Sequence, residues 1–329
     1  MKQLLIYLFA VCLFSNCSNG KQTTNLIFDT DMAPDYDDVG ALAVLHALAD
    51  SGEVKILATV SSNKCETTVP CIDVINTYFG RPDIPVGCVK GDAPNLTTWH
   101  REPRWTDELP KRYPHKAQSA SESEDALKVY RRILSLQPDT SVTIVTVGFF
   151  SNLKNLLQSQ PDKYSKLSGA DLIKKKVKLL VSMAGRMPQG KEFNVEKDST
   201  ASVVVFEEWP TPIILSGWDI GNKILTGKRL ASSDIQGSPI VDAFSMCLPQ
   251  DNPEGRMSWD QTAVLVAVRG AAPYFKLEKG IMKAFRNGSN TWTADPKGLH
   301  SRLIFQMPIP QLTNIIEDLM LHNPKNEQN

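Results

Sequence analysis

The chain has 329 residues, and its 36 Lys and Arg residues balance 36 Asp and Glu residues, so the formal net charge is zero. A hydrophobic fraction of 42% and a charged fraction of 22% are typical of globular proteins and exclude a disordered or fibrous chain. The balance lacks the basic excess that marks most nucleic-acid-binding domains. We therefore expect a small-molecule ligand and no nucleic-acid partner.

The first residues of the chain have the pattern of an export signal. Lys2 precedes an apolar run from Leu4 to Phe14, which is too short to span a bilayer comfortably. The run ends in Ser15-Asn16-Cys17, which resembles the lipobox of bacterial lipoproteins, with Cys17 as the lipidated residue. Cleavage and release without lipidation is the alternative. We predict an exported protein, periplasmic or held at a membrane by a lipid anchor alone, with a signal peptide at 1–16, a tether at 17–24 and a catalytic domain at 25–329.

Strand-like and helix-like patterns alternate through the body of the chain. Strands are predicted at 25–28, 54–60, 84–86, 142–147, 177–183 and 211–215. Helices are predicted at 38–48, 69–79, 126–136, 153–157, 200–208, 240–247, 261–268 and 312–321. Without repeats or linkers, this alternation predicts a single α/β domain with an open, mostly parallel sheet and helices on both faces. Residues 89–123 lack periodicity, which is typical of a long functional or disordered loop.

Four cysteines follow the predicted signal segment, namely Cys65, Cys71, Cys88 and Cys247. An exported chain permits disulfides, and Cys65 and Cys71 are close enough in sequence to pair. We interpret all four as small buried apolar residues, because no Cys and His spacing in the chain resembles a zinc site.

Five carboxylates lie within ten residues at the end of the first predicted strand. The segment reads Asp29-Thr30-Asp31-Met32-Ala33-Pro34-Asp35-Tyr36-Asp37-Asp38. Ligands of open α/β sheets bind at this carboxyl edge. Acids this close cannot all stay ionised without a cation or hydrogen-bond donors, and oxygen ligands without His or Cys favour calcium or magnesium. A solvated acidic loop near a helix N-terminus is the alternative, but the strand context favours a metal site.

This segment resembles the signature D-[TC]-D-P-G-x-D-D of the inosine–uridine preferring nucleoside hydrolases, with two extra residues between its halves. Asp29-Thr30-Asp31 and Asp37-Asp38 carry the match, and Asp35 lies inside the longer loop. Further motifs similar to those of the family follow in order: Thr59-Val60-Ser61-Ser62-Asn63, Val147-Gly148-Phe149-Phe150-Ser151-Asn152, Met183-Ala184-Gly185, Glu192-Phe193-Asn194 and Trp259-Asp260. The resemblance covers nearly the whole mature chain.

The resemblance implies an enzyme of purine salvage that uses calcium to hydrolyse the N-glycosidic bond of ribonucleosides, releasing ribose and the free base. The implied calcium ligands are Asp31, Asp38, the Val147 carbonyl and Asp260. Asp31 is also the implied general base, because a carboxylate beside the metal is placed to accept a proton from water. The implied substrate contacts are Asp37, Asn63, Glu192, Asn194 and Trp259. A homo-oligomer is compatible with the sequence.

Two departures from the family pattern bear on specificity. Trp259 stands where many members have a His that protonates the leaving base, and this resembles the purine-preferring branch, in which indoles stack on the base. We therefore expect a preference for purine nucleosides, with Trp99 and Trp105 as candidates for a second stacking face. The segment 186–191 lacks the Asn with which the family contacts the ribose 5′-hydroxyl.

Two other functions remain open at this stage. Phe28-Asp29-Thr30-Asp31 imitates the D-x-D motif of haloacid dehalogenase-type phosphatases, although Ala33 stands where that motif has Thr or Val. The second alternative is a non-catalytic lipoprotein that binds a ribosyl ligand through calcium.

Overall fold

The computed structural model describes residues 23–324, so the predicted signal peptide and all but the last two residues of the predicted tether lie outside the described residues. The strands are β1 Thr24–Thr30, β2 Val54–Ser61, β3 Val86–Cys88, β4 Glu124–Asp125, β5 Val142–Thr146, β6 Val177–Met183, β7 Gln189–Lys191, β8 Ile213–Ser216, β9 Leu225–Thr226, β10 Arg256–Met257, β11 Phe275–Ala284, β12 Ser289–Ala294 and β13 His300–Phe305.

The helices alternate with these strands through most of the described chain. They are α1 Asp37–Asp50, α2 Thr68–Tyr78, α3 Trp105–Arg112, α4 Ala126–Ser135, α5 Ser151–Leu157, α6 Gly169–Lys176, α7 Phe193–Lys197, α8 Ser199–Glu208, α9 Trp218–Gly221, α10 Lys228–Ala231, α11 Pro239–Asp251, α12 Trp259–Arg269 and α13 Ile309–Met320. Between residues 23 and 324, no helix is long and apolar enough to cross a membrane.

Eleven strands form one sheet in the order β4-β3-β2-β1-β5-β6-β8-β13-β11-β12-β7. Neighbouring strands from β4 through to β13 are parallel. The pairs β13-β11, β11-β12 and β12-β7 are antiparallel. The prediction of a mostly parallel α/β sheet is therefore confirmed, and an antiparallel extension that the sequence pattern does not reveal is added at one end.

Hydrophobic clusters lie on both faces of this sheet. Successive residues of a strand point to opposite faces, so Leu26 and Phe28 enter one cluster and Ile27 enters the other. The first cluster is covered mainly by α1, α2, α11, α12 and α13, and the second by α4, α5 and α8. Burial on both faces explains why β1 and β5 are continuous apolar runs without alternation.

The structure also shows the state of the four cysteines and the conformation of the long aperiodic segment. All four cysteines are free; Cys71, Cys88 and Cys247 are buried, as predicted, whereas Cys65 is half-buried. The segment 89–123 contains helix α3, which the sequence pattern does not predict. Thr24, predicted as the last residue of the tether, is the first residue of β1.

Candidate active site

The acidic segment connects β1 to α1 and buries its carboxylates. Asp31, Asp37 and Asp38 are each at most 5% exposed. Asp37 and Asp38 occupy the first turn of α1, where the helix dipole favours negative charge. The connection is tight, because Ala33 adopts a positive φ of 134°, a conformation that favours glycine.

The next strand along the sheet edge approaches the acidic segment closely. A Cβ added to Gly148 would lie 2.2 Å from the backbone nitrogen of Asp31, so only glycine allows the segment after β5 to pass this close. Val147, the residue before this glycine, and Asp31 line the same cavity. A buried Asn63 amide donates to the Asp31 carbonyl at 3.1 Å and braces the segment from β2.

Asp260 joins the acidic group from the other end of the chain. It lies in the first turn of α12, is 4% exposed, and α12 packs along α1. Burial, followed by repulsion from neighbouring carboxylates, raises the pKa values of Asp31 and Asp260 well above the ordinary aspartate value. The same two causes raise the pKa of Asp38 to about 8, against a hydrogen bond from Thr30 that lowers it.

Arg256 is a buried cation within this group. Its side chain is 5% exposed, and its Nη2 lies 2.5 Å from Asp35 and 3.0 Å from Asp37. Burial raises the pKa of Asp35, but the Arg256 guanidinium and hydrogen bonds from Asp37 outweigh that effect, so the pKa is lowered. Asp35 and Asp37 thus share one counter-ion. The remaining aspartates of the group, Asp31, Asp38 and Asp260, form a second set.

The second set suits a divalent cation. Asp31, Asp38 and Asp260 form no salt bridge with any residue between 23 and 324, although all three are buried and line one cavity with Val147. Three buried carboxylates without a cation are unfavourable, and a hard ion with oxygen ligands would neutralise them. The tightest group of carboxylate oxygens, within 4.8 Å of one another, is instead Asp35, Asp37 and Asp38. Arg256 offsets one negative charge of the first two, whereas Asp31 and Asp260 have no cationic partner among residues 23–324.

A cavity of about 230 Å³ opens above these acids and is walled by aromatic rings. Trp259 and Trp218 line it with ring centroids 6.3 Å apart, and the Trp259 Nε1 donates to the Trp218 carbonyl at 2.9 Å. Trp99, which is 51% exposed, also lines the cavity, and its ring centroid lies 6.1 Å from that of Phe193. Trp105 is fully buried in the hydrophobic cluster over α1 and does not line the cavity, so its proposed stacking role is wrong.

Glu192 and Asn194 lie on the wall next to Val147. The Glu192 carboxylate caps α7 and accepts hydrogen bonds from the backbone nitrogens of Gly185, Asn194 and Val195. Asn194 donates to the Val147 carbonyl at 3.0 Å, and its Oδ1 accepts no hydrogen bond from residues 23–324. Both side chains line the cavity, as required for substrate contacts.

Asn63 has a different position from the one predicted. It is fully buried and absent from the cavity wall, and its Nδ2 donates to the carbonyls of Asp31 and Leu96. Its Oδ1 accepts from the Leu96 and Cys65 nitrogens, so no polar atom of the amide remains for a substrate. Asn63 therefore holds the acidic segment and the loop near Trp99 together, and the prediction of a direct substrate contact is corrected.

Asp29 is equally unsuited to the phosphatase mechanism that its motif suggests. The side chain is fully buried beneath the cavity and accepts from Tyr130 at 2.7 Å and Asn152 at 3.1 Å. Burial, only partly opposed by these hydrogen bonds, raises its pKa to about 7. A nucleophilic carboxylate must be accessible and ionised, whereas Asp29 links β1 to α4 and α5.

Two residues of the site were not predicted from the sequence. Arg256 precedes the Trp259-Asp260 motif in a segment rich in Pro, Gly and Asn, which reads as an ordinary turn. Trp218 follows β8, and the position of a polar or aromatic residue directly after a predicted strand is the signal that could have found it.

Comparisons with known proteins identify the family of the chain. Residues 26–293 match the family model described as inosine-uridine preferring nucleoside hydrolase. The pyrimidine-specific ribonucleoside hydrolase RihA of Salmonella enteritidis is 30% identical over 232 residues, which are 65% of this chain and 67% of that protein. The same enzyme of Salmonella typhi matches to the same extent.

Solved structures show the same fold at lower sequence identity. The purine-preferring ribonucleoside hydrolase of Gardnerella vaginalis is 17% identical, with a TM-score of 0.70 over 92% of this chain and all of that one. The Bacillus anthracis inosine-uridine preferring enzyme is 15% identical, with a TM-score of 0.65 over 91% and 99%. The match of the family model over most of the chain decides the family. This chain belongs to the inosine–uridine preferring nucleoside hydrolases, enzymes that hydrolyse the N-glycosyl bond of ribonucleosides.

Proposed function

We propose that this chain hydrolyses ribonucleosides with the help of one bound calcium ion and that it prefers purine bases. The observation that carries the proposal is the two-part cavity, with uncompensated buried carboxylates at its floor and indole rings on its walls. A ribose has vicinal hydroxyls for the floor, and a purine has a large flat face for the walls.

The floor would hold both the ion and the sugar. Asp31, Asp38, Asp260 and the Val147 carbonyl are the proposed ligands. When bound, calcium would orient the ribose hydroxyls and lower the pKa of a water molecule. Asp31 is the proposed general base, because it lies on the cavity floor beside the proposed ion, where a carboxylate can accept a proton from a water molecule.

Other residues of the cavity would orient the sugar. Asp37 contacts Arg256 at 3.0 Å and lines the cavity, where its carboxyl oxygens can accept a hydrogen bond from a ribose hydroxyl. The Asn194 Oδ1 accepts no hydrogen bond from the described residues and would accept one from another hydroxyl. The Glu192 carboxylate is held by three backbone nitrogens in a fixed position on the same wall.

The walls support the choice of base. Among the cavity-lining residues of the described chain there is no His. The side chains proposed to contact the base are Trp99, Trp218 and Trp259. Stacking on indoles stabilises a departing purine, and a pyrimidine has less area to stack. The Salmonella relatives are named pyrimidine-specific and the Gardnerella enzyme purine-preferring, so the names of relatives do not decide between the two classes.

A panel of nucleosides scored for ribose release tests the proposal. Inosine and guanosine should give higher kcat/KM than uridine and cytidine, and chelation should remove activity that calcium restores better than magnesium. Preference for uridine would contradict the purine assignment, and full activity in chelator would contradict the metal. Calcium-dependent ribose binding without turnover would support the non-catalytic alternative, and hydrolysis of p-nitrophenyl phosphate would support the phosphatase.

We also propose that the protein is exported and held at a membrane through Cys17. The support is the lipobox-like segment ending at this residue, which lies outside the described part of the chain. Replacing Cys17 with Ala should move the protein from the membrane fraction to the soluble exported fraction. An unchanged distribution between the two fractions would contradict the lipid anchor.

A further inference from the structure

The longer acidic segment adds Asp35 to the carboxylates of this site. Six carboxylates line the cavity, namely Asp31, Asp35, Asp37, Asp38, Glu192 and Asp260, against the two cations Lys191 and Arg256. Lys191 is paired with Glu196 at 2.8 Å, and its side chain is 52% exposed. Arg256 is therefore the one cation buried among the acids of the described cavity.

All the donor groups of Arg256 face acceptors within the protein. Nη2 contacts Asp35 at 2.5 Å and Asp37 at 3.0 Å, and Nε contacts Asp37 at 3.3 Å. Nη1 donates to Asn252 at 3.2 Å and lies 3.8 Å from Asp251. A guanidinium has five N–H donors on three nitrogens, and each of the three nitrogens contacts an acceptor of the protein. Arg256 therefore holds protein groups in place.

The guanidinium also lies close to two aromatic rings. Its carbon lies 5.2 Å from the centre of the Tyr36 ring and 5.1 Å from the centre of the Trp259 ring. Cation–π contact with both rings orients the plane of the fork and ties it to the base wall. The backbone of Arg256 is held as well, because it pairs with Thr226 in the β9-β10 ladder.

We propose that Arg256 takes the place of a second metal ion in this site. It offsets one of the two negative charges of Asp35 and Asp37, limits the site to one divalent ion, and is a positioning residue for Asp37. The oxygens of Asp35, Asp37 and Asp38 lie within 4.8 Å of one another, close enough to share a cation, and Arg256 lies against two of these three residues. The inference rests on the proposed calcium site for the first ion.

Calorimetric titration of chelator-treated protein with calcium chloride tests this inference. Arg256→Gln should bind one calcium ion more than the unmutated protein, because three close carboxylates lose their cation. Arg256→Gln combined with Asp35→Asn should return to the unmutated stoichiometry, since the extra site needs both acids. Arg269→Gln is the matched control, because it breaks an ion pair with Glu53 at 2.6 Å far from the cavity. It should leave the stoichiometry unchanged.

A conservative variant keeps the test decisive if Arg256→Gln does not fold. Arg256→Lys retains the charge but cannot contact both carboxylates, so it should bind the same number of calcium ions as the unmutated protein. It should raise KM for inosine about tenfold or more, with kcat nearly unchanged, because Asp37 loses its fixed orientation.

The outcomes separate this inference from the proposed function. No gain of an ion in folded Arg256→Gln, or an unchanged KM in Arg256→Lys, would overturn the inference. A lack of calcium binding and ribose release by the unmutated protein would overturn the proposed function instead. In that case, the gain of one ion in Arg256→Gln relative to the unmutated protein still decides the role of Arg256.

Discussion

Removal of calcium should make the protein sensitive to alkaline pH. In the metal-free protein, burial and neighbouring carboxylates raise the pKa values of Asp31 and Asp260, and they raise that of Asp38 to about 8. These carboxyl groups have no salt-bridge partner among residues 23–324, so only protonation or a metal ion can relieve their burial. Stability and metal binding should therefore be linked through pH.

The sign follows from the proton count of the two states. Between the ordinary value of 3.8 and the raised value of about 8, folded Asp38 holds a proton that the unfolded chain has released. The free energy of unfolding then falls as pH rises, by about 1.4 kcal/mol per pH unit for one such group. From pH 5 to pH 8 this amounts to about 4 kcal/mol for Asp38 alone. In a domain of this size, that corresponds to a fall of about 8 °C in the unfolding midpoint.

Calcium should remove most of this dependence, because it binds the ionised carboxylates of the folded state. Thermal unfolding followed by circular dichroism from pH 5 to pH 8, with chelated protein and with saturating calcium, gives the comparison. The two midpoints should diverge as pH rises. Asp29 should leave a residual slope in both samples, since its pKa is raised to about 7 by burial away from the proposed ion.

The control variant is Asp38→Asn, which imitates the protonated carboxyl group. It should flatten the pH dependence of the chelated protein and lose most of the stabilisation by calcium. Parallel midpoint curves with and without calcium in the unmutated protein would refute the reasoning, because they would show that the buried carboxylates are not the metal ligands.

Three further predictions concern individual side chains. Asp31→Ala should lower kcat by about 10³-fold, and far more than Asn194→Ala does, because it removes the proposed base; comparable losses would exclude that role. Trp259→Ala should lower kcat/KM for inosine about 10- to 100-fold but that for p-nitrophenyl riboside, whose leaving group needs no proton, much less. Equal losses would mean that Trp259 only shapes the cavity. Asn63→Ala should lower the free energy of unfolding by about 1–3 kcal/mol through unsatisfied backbone groups, and an intact midpoint would contradict its bracing role.

The strand ends were predictable from the sequence because burial on both faces makes parallel strands apolar runs. β1, β2, β5 and β6 carry such runs, and the polar residues that follow them meet at one edge. The antiparallel strands β11 and β12 are different, because their exposed positions carry Lys, Glu and Thr among apolar residues, and β7 is only three residues long. Their pairing is decided by long-range contacts, which a local pattern does not contain.

The carboxylates of the site were more predictable than Asn63 and Arg256, the residues that hold them in place. The carboxylates form a dense local motif, and the structure brings Asp31, Asp37 and Asp38 together with Asp260. The position of Asn63 was missed because a buried amide that serves the backbone and an amide that faces substrate look the same in a motif. Arg256 was missed because its partners Asp35 and Asp37 are about 220 residues away, and pairing at that separation leaves no local trace.

The two halves of the chain contribute different parts of the cavity, and this separates the effects of substitution. The carboxylates of the floor come mostly from the segment after β1, where the sheet edge and the N-terminus of α1 fix them. The indoles of Trp218 and Trp259 come from the starts of α9 and α12, beyond the parallel core. Changes in the floor should alter metal binding and turnover for all nucleosides, whereas changes in the indoles should alter the ratio between bases. Arg256 touches both parts, through Asp37 and Trp259, so Arg256→Gln, which removes its charge, should alter both sets of properties.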